Sequence, residues 1–264
     1  MTERLVRLGI RVRAERAETA LADLLPLLGA GAEERRIGGS VEYSIYLPPG
    51  ELPPPDAIRR LGGDAVLGTI TEPVPEDWER RYLKHLRRIE VGSITIRPPW
   101  LDGEATDLVI DPGTAFGAGS HETTRLCLEL LQAGEPGGAL CDWGSGSGVL
   151  AIAAARLGWS PVLAVELDPG ALAVIEANAA ANHVGIEART ADLLAEEPPW
   201  APTVVANLTP ALHRDVAARL ERAPRTLIAA GFLARYADDV AALYAPLREV
   251  ARREQGEWAA VVLA

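Results

Sequence analysis

Three glycines at alternate positions, Gly144, Gly146 and Gly148, separate a short apolar run ending at Asp142 from a helix-length apolar run, and no other feature restricts the fold of this chain as strongly. A second apolar run, Val162–Val165, follows and ends at Glu166. The order strand, glycine turn, helix, strand tipped by an acid is that of a nucleotide-binding unit. Glycines at such a turn permit positive φ and let a ligand approach the helix N-terminus with no Cβ in the way. Glu166 lies 20 residues beyond Gly146, where such units place the carboxylate that grips ribose hydroxyls. A merely flexible Gly-Ser-Gly-Ser-Gly loop would not require this flanking pattern, so the expected ligand is a nucleoside.

Charge narrows the choice of nucleoside. Dinucleotide sites space their glycines G-x-G-x-x-G and set a pyrophosphate on the helix N-terminus, where backbone donors and the dipole welcome an anion. Here the spacing is G-x-G-x-G with Asp142 at the strand tip. A carboxylate there repels pyrophosphate and suits the ammonium or sulfonium of S-adenosylmethionine. Asp192, beyond a third candidate strand at Ile186–Arg189, is placed to accept from an adenine amine. A solvated strand end is the alternative role for Glu166 and Asp192.

The chain has 264 residues, enough for one large domain and a small one, and its hydrophobic content of 48% supports ordinary cores. It contains no apolar run of the ~18 residues a membrane span requires, and its amino terminus has no signal pattern, so a cytoplasmic protein is expected. Cys127 and Cys141 lack metal-ligand spacing and read as buried, reduced core residues. Residues 1–97 hold 15 basic and 15 acidic side chains, whereas residues 98–264 hold 11 and 22, so the net charge of −11 lies wholly in the half with the glycine turn. That half is unsuited to tight nucleic-acid binding, whose affinity comes mainly from phosphate neutralisation. It suits a basic protein partner.

Pattern along the first 72 residues reads strand (Leu5–Val12), helix (Glu15–Leu28), a hairpin turning at Gly38-Gly39 with Val41–Leu47 as its second arm, helix (Asp56–Leu61) and strand (Ala65–Ile70). That βαββαβ order predicts a small α+β unit like the ferredoxin fold. Residues 73–97 read as a linker: Pro73–Pro75, a charged helix at Glu76–Arg88 with Trp78, Tyr82 and Leu86 on one face, and a connecting strand. From 98 to 264 strands and helices alternate, which predicts a doubly wound, mostly parallel α/β sheet. Its last two strands, Leu247–Arg252 and Trp258–Leu263, form an antiparallel hairpin at the edge.

Two further motifs carry chemistry. Asp111-Pro-Gly-Thr-Ala-Phe-Gly-Ala-Gly-Ser-His-Glu-Thr-Thr-Arg125 is a glycine-rich loop entering a helix near Ser120, where hydroxyls serve as caps. His121-Glu122 is not a zinc site, because Arg125 stands where H-E-x-x-H needs its second histidine. Ala206-Asn207-Leu208-Thr209-Pro210 follows another strand; the Asn207 carboxamide can accept from an amine, or else cap the helix expected at Ala211–Arg222.

In these motifs the chain resembles the ribosomal protein L-eleven methyltransferase (PrmA) family. The resemblance begins around Glu76-Asp-Trp-Glu-Arg and Ile96-Arg-Pro-Pro-Trp100 and runs through the 111–125 loop, Asp142-Trp-Gly-Ser-Gly-Ser-Gly, Val165-Glu-Leu-Asp-Pro and Ala206-Asn-Leu. The Phe-Gly-x-Gly-x-His-x-Thr-Thr loop is its specific element, since the glycine turn is common to all class I methyltransferases. Ala118 and Thr209-Pro210 depart from the family's pattern. The resemblance implies a Rossmann-like class I methyltransferase domain, S-adenosylmethionine as methyl donor, and lysine and α-amino groups of a ribosomal protein as acceptors. It also implies that the small amino-terminal domain presents the substrate.

On this reading Asp142, Gly144, Gly146, Glu166 and Asp192 bind the cofactor. Phe116, Thr123 and Asn207 wall the same site at the reaction centre, with Asn207 as the catalytic amine-orienting residue. A methyltransferase for another protein lysine or a small molecule, and a non-catalytic cofactor-binding ribosome assembly factor, are the rival readings the sequence leaves open.

Overall fold

Alternation decides the first unit. In a computed structural model, which describes residues 6–28, 33–47, 49–74, 87–111 and 119–264, the chain divides into two units, Met1–His85 and Leu86–Ala264. The first contains β1 (Val6–Arg13), α1 (Ala17–Leu28), β2 (Glu33–Ile37), β3 (Ser40–Leu47), α2 (Pro55–Gly62) and β4 (Val66–Pro73). Its sheet is antiparallel in the order β2-β3-β1-β4, the ferredoxin-like arrangement expected from the βαββαβ pattern. Leu8, Ile10 and Val12 of β1 and Val41, Tyr43 and Ile45 of β3 pack with Leu24, Leu28 and Ile58 of the helices. The alternate residues Arg7 and Arg11 turn to the other face and both bind Glu42, as the two-residue period of a strand requires. Gly38 at the hairpin turn has φ of 58°.

The second unit opens with a three-stranded sheet, β5 (Ile89–Val91), β6 (Ile94–Arg97) and β7 (Leu108–Val109), in which β5–β6 is antiparallel and β6–β7 parallel. The apolar residues of β5 and β6 join this unit's core. The helix expected at Glu76–Arg88, with Trp78, Tyr82 and Leu86, lies almost wholly outside the described residues.

Next come α3 (Glu122–Ala133), β8 (Leu140–Trp143), α4 (Val149–Leu157), β9 (Val162–Glu166), α5 (Pro169–Ala181), β10 (Glu187–Thr190) and β11 (Thr203–Asn207). They are followed by α6 (Pro210–Ala217), β12 (Thr226–Leu233), α7 (Ala237–Leu243), β13 (Glu249–Gln255) and β14 (Trp258–Leu263). The seven strands β8–β14 form one sheet in the order β10-β9-β8-β11-β12-β14-β13. Its first five are parallel, and β14 is inserted antiparallel between β12 and β13.

Successive residues of β8 go to opposite faces. Leu140 joins the apolar layer of α3, α4 and α5, while Cys141 and Trp143 join that of α6 and α7. A sheet covered on both faces accounts for strands read as continuous apolar runs. Helix α6 ends at Ala217, short of the expected Arg222, where Arg219 and Leu220 continue only in turns. No helix among the described residues is long and apolar enough to cross a membrane.

Candidate functional site

Strand order reverses between β8 and β11, adjacent inner strands, and in open α/β sheets ligands bind beyond the carboxyl ends of strands at such a switch point. Asp142, Glu166, Asp192 and Asn207 lie at or just beyond the ends of β8, β9, β10 and β11, four adjacent parallel strands. The sheet thus brings the sequence-predicted acids and the asparagine to one edge.

The turn after β8 is built by backbone geometry. Gly144, Gly146 and Gly148 have φ of 71°, 55° and 81°, values L side chains rarely adopt. Gly144 and Ser145 donate to Val165 O (2.9 and 3.0 Å), which ties the turn to the end of β9. Asp142 is 1% exposed. Its Oδ2 accepts from Ser145 Oγ (2.6 Å) and the Ala151 N–H (3.2 Å), whereas its buried Oδ1 has no hydrogen-bond partner among the described residues. Burial pushes its carboxyl up to about 7 and nearby Glu166 adds to the rise, against the two hydrogen bonds. Such an orphaned buried oxygen is costly unless something satisfies it, and a cation placed there would both pair with it and restore its charge.

Glu166 Oε2 accepts from the Gly146 N–H (2.9 Å) and Oε1 from the Leu167 N–H (2.8 Å). The carboxylate therefore braces the glycine turn from the neighbouring strand end. Asp192 Oδ1 accepts from the Leu194 N–H (2.9 Å) and shapes the turn after β10.

Across the switch point, Asn207 is half-buried and its Nδ2 donates a long bond (3.4 Å) to Thr124 Oγ1. It is not the cap of α6; Thr209 is, its hydroxyl accepting from the Leu212 N–H. At α3 the cap is the His121 ring, whose Nδ1 meets the Thr123 N–H (3.3 Å) and Oγ1 (2.8 Å). That ring packs edge-on against Trp258 at 4.7 Å, and burial holds its pKa below the usual histidine value. Thr123 itself is buried against the His121 ring. Phe116 and Ala118 lie outside the described residues.

Several contributors escaped the sequence reading. His213 of α6 is fully buried, with Nε2 2.9 Å from Ala230 O and Nδ1 2.8 Å from Tyr244 Oη. A carbonyl only accepts, so Nε2 carries the proton and Nδ1 accepts from tyrosine. Ala230 O also takes the Leu208 N–H (2.9 Å), and this pins the segment after Asn207 to β12. Beside it, Gly231 has φ of 96° at a register shift, and a Cβ there would stand 2.2 Å from Leu208 O. A lone glycine inside an apolar strand is the signal for such a bulge and close approach. For His213 no local signal exists.

The strand order, the switch-point site and the glycine turn together define the class I methyltransferase fold. Residues 59–264 match the model of the family described as Ribosomal protein L11 methyltransferase (PrmA), and the chain belongs to that family. A ribosomal protein L11 methyltransferase of Pelotomaculum thermopropionicum is 36% identical over 262 residues, covering 92% of this chain and 81% of the relative. One from Caldicellulosiruptor saccharolyticus is 44% identical over 130 residues, 47% of this chain and 43% of that relative. Among solved structures, a ribosomal protein L11 methylase from Lactobacillus delbrueckii subsp. bulgaricus is similar with a TM-score of 0.60 and 26% identity, over 67% of this chain and 98% of that one.

Proposed function

We propose that this protein transfers methyl groups from S-adenosylmethionine to amines of a basic ribosomal protein, lysine side chains and the α-amine, in the cytoplasm. The observation that carries the reading is Asp142, a buried carboxylate with one unpartnered oxygen at the switch point. A pyrophosphate would be repelled there, whereas a cationic nucleoside fits. When bound, the donor supplies an electrophilic methyl group on a sulfonium.

In this proposal Asp142 offers its free Oδ1 to donor positive charge. Gly144 and Gly146 keep Cβ atoms out of the donor's path, and Asp192 takes the adenine amine. Glu166 accepts ribose hydroxyls in place of part of its present bonding to Gly146 and Leu167. Phe116 and Thr123 wall the reaction centre. Asn207, tethered to Thr124 through Nδ2, has its carbonyl oxygen left to accept from the incoming amine.

A free lysine, with a pKa of about 10.4, is protonated at neutral pH, and a half-buried site helps it lose that proton by disfavouring the charged form. Rate then comes mainly from holding a neutral amine in line with the methyl group. The acidic second unit attracts a basic protein, and the motif-free first unit serves as its recognition domain.

Labelled S-adenosylmethionine incubated with the purified protein and ribosomal proteins should put label on one basic protein, with the modified amines located by mass spectrometry. Calorimetry should show donor binding that Glu166→Ala weakens by about 10- to 100-fold, as for a lost charged hydrogen bond. NAD binding of equal strength, or label appearing on no ribosomal protein, overturns the proposal.

A further inference from the structure

Helix α5 and its C-cap carry two asparagines four residues apart, Asn178 and Asn182, that are 3% and 2% exposed. Each carboxamide makes three hydrogen bonds. Asn182 accepts the Val109 N–H at Oδ1 (2.8 Å) and donates from Nδ2 to Val109 O (2.7 Å) and Asn178 O (2.8 Å). Asn178 accepts the Asp111 N–H (2.9 Å) and donates to Asp111 O (2.8 Å) and to Ser147 O (2.9 Å).

Strand β7 pairs with β6 along one edge. Along the other, the two side-chain amides stand in for peptide groups of a missing neighbouring strand. The geometry matches because four helical residues advance ~6 Å while two strand residues advance ~6.6 Å. Amides at i and i+4 therefore meet alternate peptide units of an extended chain.

The two differ in what they reach. Among the described residues Asn182 holds only Val109 and its own helix. Asn178 binds Asp111, the last described residue beyond β7, and with the same Nδ2 binds Ser147 inside the glycine turn. At its other end α5 starts directly beyond Glu166, with Asp168 capping it through the Gly170 N–H.

We infer that Asn178 is a positioning residue of the methyl-donor site, its single carboxamide locking Asp111 to the glycine turn, whereas Asn182 secures the strand alone. The inference rests on the reading of residues 142–148 as the donor site. Leucine cannot make these bonds, and an aspartate would turn an acceptor on two carbonyls.

The test uses Asn178→Asp and Asn182→Asp in the full chain. Hydrogen–deuterium exchange of the unliganded protein, which needs no ligand, should rise in both the 144–148 turn and the Asp111 segment for Asn178→Asp, and only near Val109 for Asn182→Asp. Calorimetry with S-adenosylmethionine at pH 8 should find Asn178→Asp weakened by about tenfold, the loss of one to two buried hydrogen bonds, with Asn182→Asp within twofold of the parent.

Lowering the pH protonates the new carboxyl and returns one donor, so Asn178→Asp should recover affinity relative to the parent between pH 8 and 6. An asparagine that acted only on overall stability would leave the affinity of the folded molecule unchanged at every pH. Equal exchange and affinity changes for the two variants, or unaltered exchange at the turn in Asn178→Asp, overturn the inference. If Asn178→Asp does not fold, the neutral Asn178→Ser carries the exchange and affinity arms with the same two outcomes. Failure of the unmodified protein to bind S-adenosylmethionine would count against the donor-site reading, and the exchange result would still decide the link between Asn178 and the turn.

Discussion

The two sides of the switch point are made differently. On the β8–β9 side, the glycine turn is held chiefly within one strand–turn–helix–strand unit, Asp142 with Ser145 and Ala151, Gly146 with Glu166 and Gly144 with Val165, while Asn178 reaches Ser147 from the next helix. On the β11–β12 side two contacts reach outside the strand–helix–strand unit, Asn207 with Thr124 and His213 with Tyr244, beside those of Leu208 with Ala230 and Gly231 within it. The first side is a local supersecondary unit whose shape its own residues dictate. The second exists only once the sheet has assembled. Leu208 touches both, since a Cβ on Gly144 would meet its Cδ2 at 2.8 Å and one on Gly231 its carbonyl oxygen.

The sharpest way to break the comparison is to add a methyl group on each side. At Gly231 the obstacle is backbone, which cannot move without displacing the Asn207 segment, so Gly231→Ala should cost in excess of about 4 kcal/mol in denaturant unfolding. At Gly144 the obstacle is the end of a flexible leucine, and the cost should be about 1–2 kcal/mol, that of a left-handed L residue. Equal costs would show that the two sides are equally rigid.

Acid separates the sides next, because their buried titratable groups have opposite signs. Asp142, raised to about 7 from an unfolded value of 3.8, contributes stability that is fully present below pH 3.8 and is lost as pH rises through 7. His213, pushed down to about 4 by burial from 6.5, contributes stability present above pH 6.5 and lost as pH falls through 4. Each pKa unit corresponds to about 1.4 kcal/mol. Relative to the parent, Asp142→Asn should therefore gain several kcal/mol of stability between pH 4 and 7. A parallel pH profile for parent and variant would show that Asp142 is ionised throughout. If the bound donor is a cation, its affinity for the parent should also weaken as pH drops below 7.

The smallest effect sharpens the contrast in function. Tyr244→Phe removes one hydroxyl from His213 and should cost about 1 kcal/mol of stability. Because His213 steadies the Asn207 segment and not the glycine turn, kcat should fall while the affinity for S-adenosylmethionine stays within twofold. A loss confined to donor affinity would move His213 to the other side of the site.

Much of the fold was legible. The βαββαβ pattern led to the antiparallel order β2-β3-β1-β4, and the alternating elements led to the doubly wound sheet. The closing hairpin was also readable, although β14 lies inside the sheet and β13 at its edge. Asn207 could be singled out from its place after a strand, but Thr209 and not Asn207 caps α6, because capping depends on which residue adopts extended backbone just before the helix. Gly231 stands inside β12, and its bulge appears only through pairing with β14.

By itself the sequence determined the elements and the turn between β8 and α4, because hydrophobic period, glycine's access to positive φ and an acid a fixed distance along the chain are local properties. Tertiary structure alone decided that Asp142 keeps a buried oxygen without a partner, that His213 is held neutral between Ala230 and Tyr244, and that Asn178 and Asn182 complete the edge of β7. Burial and pairing between residues tens of positions apart depend on which surfaces meet when the sheet closes, and no local window of the chain encodes that meeting.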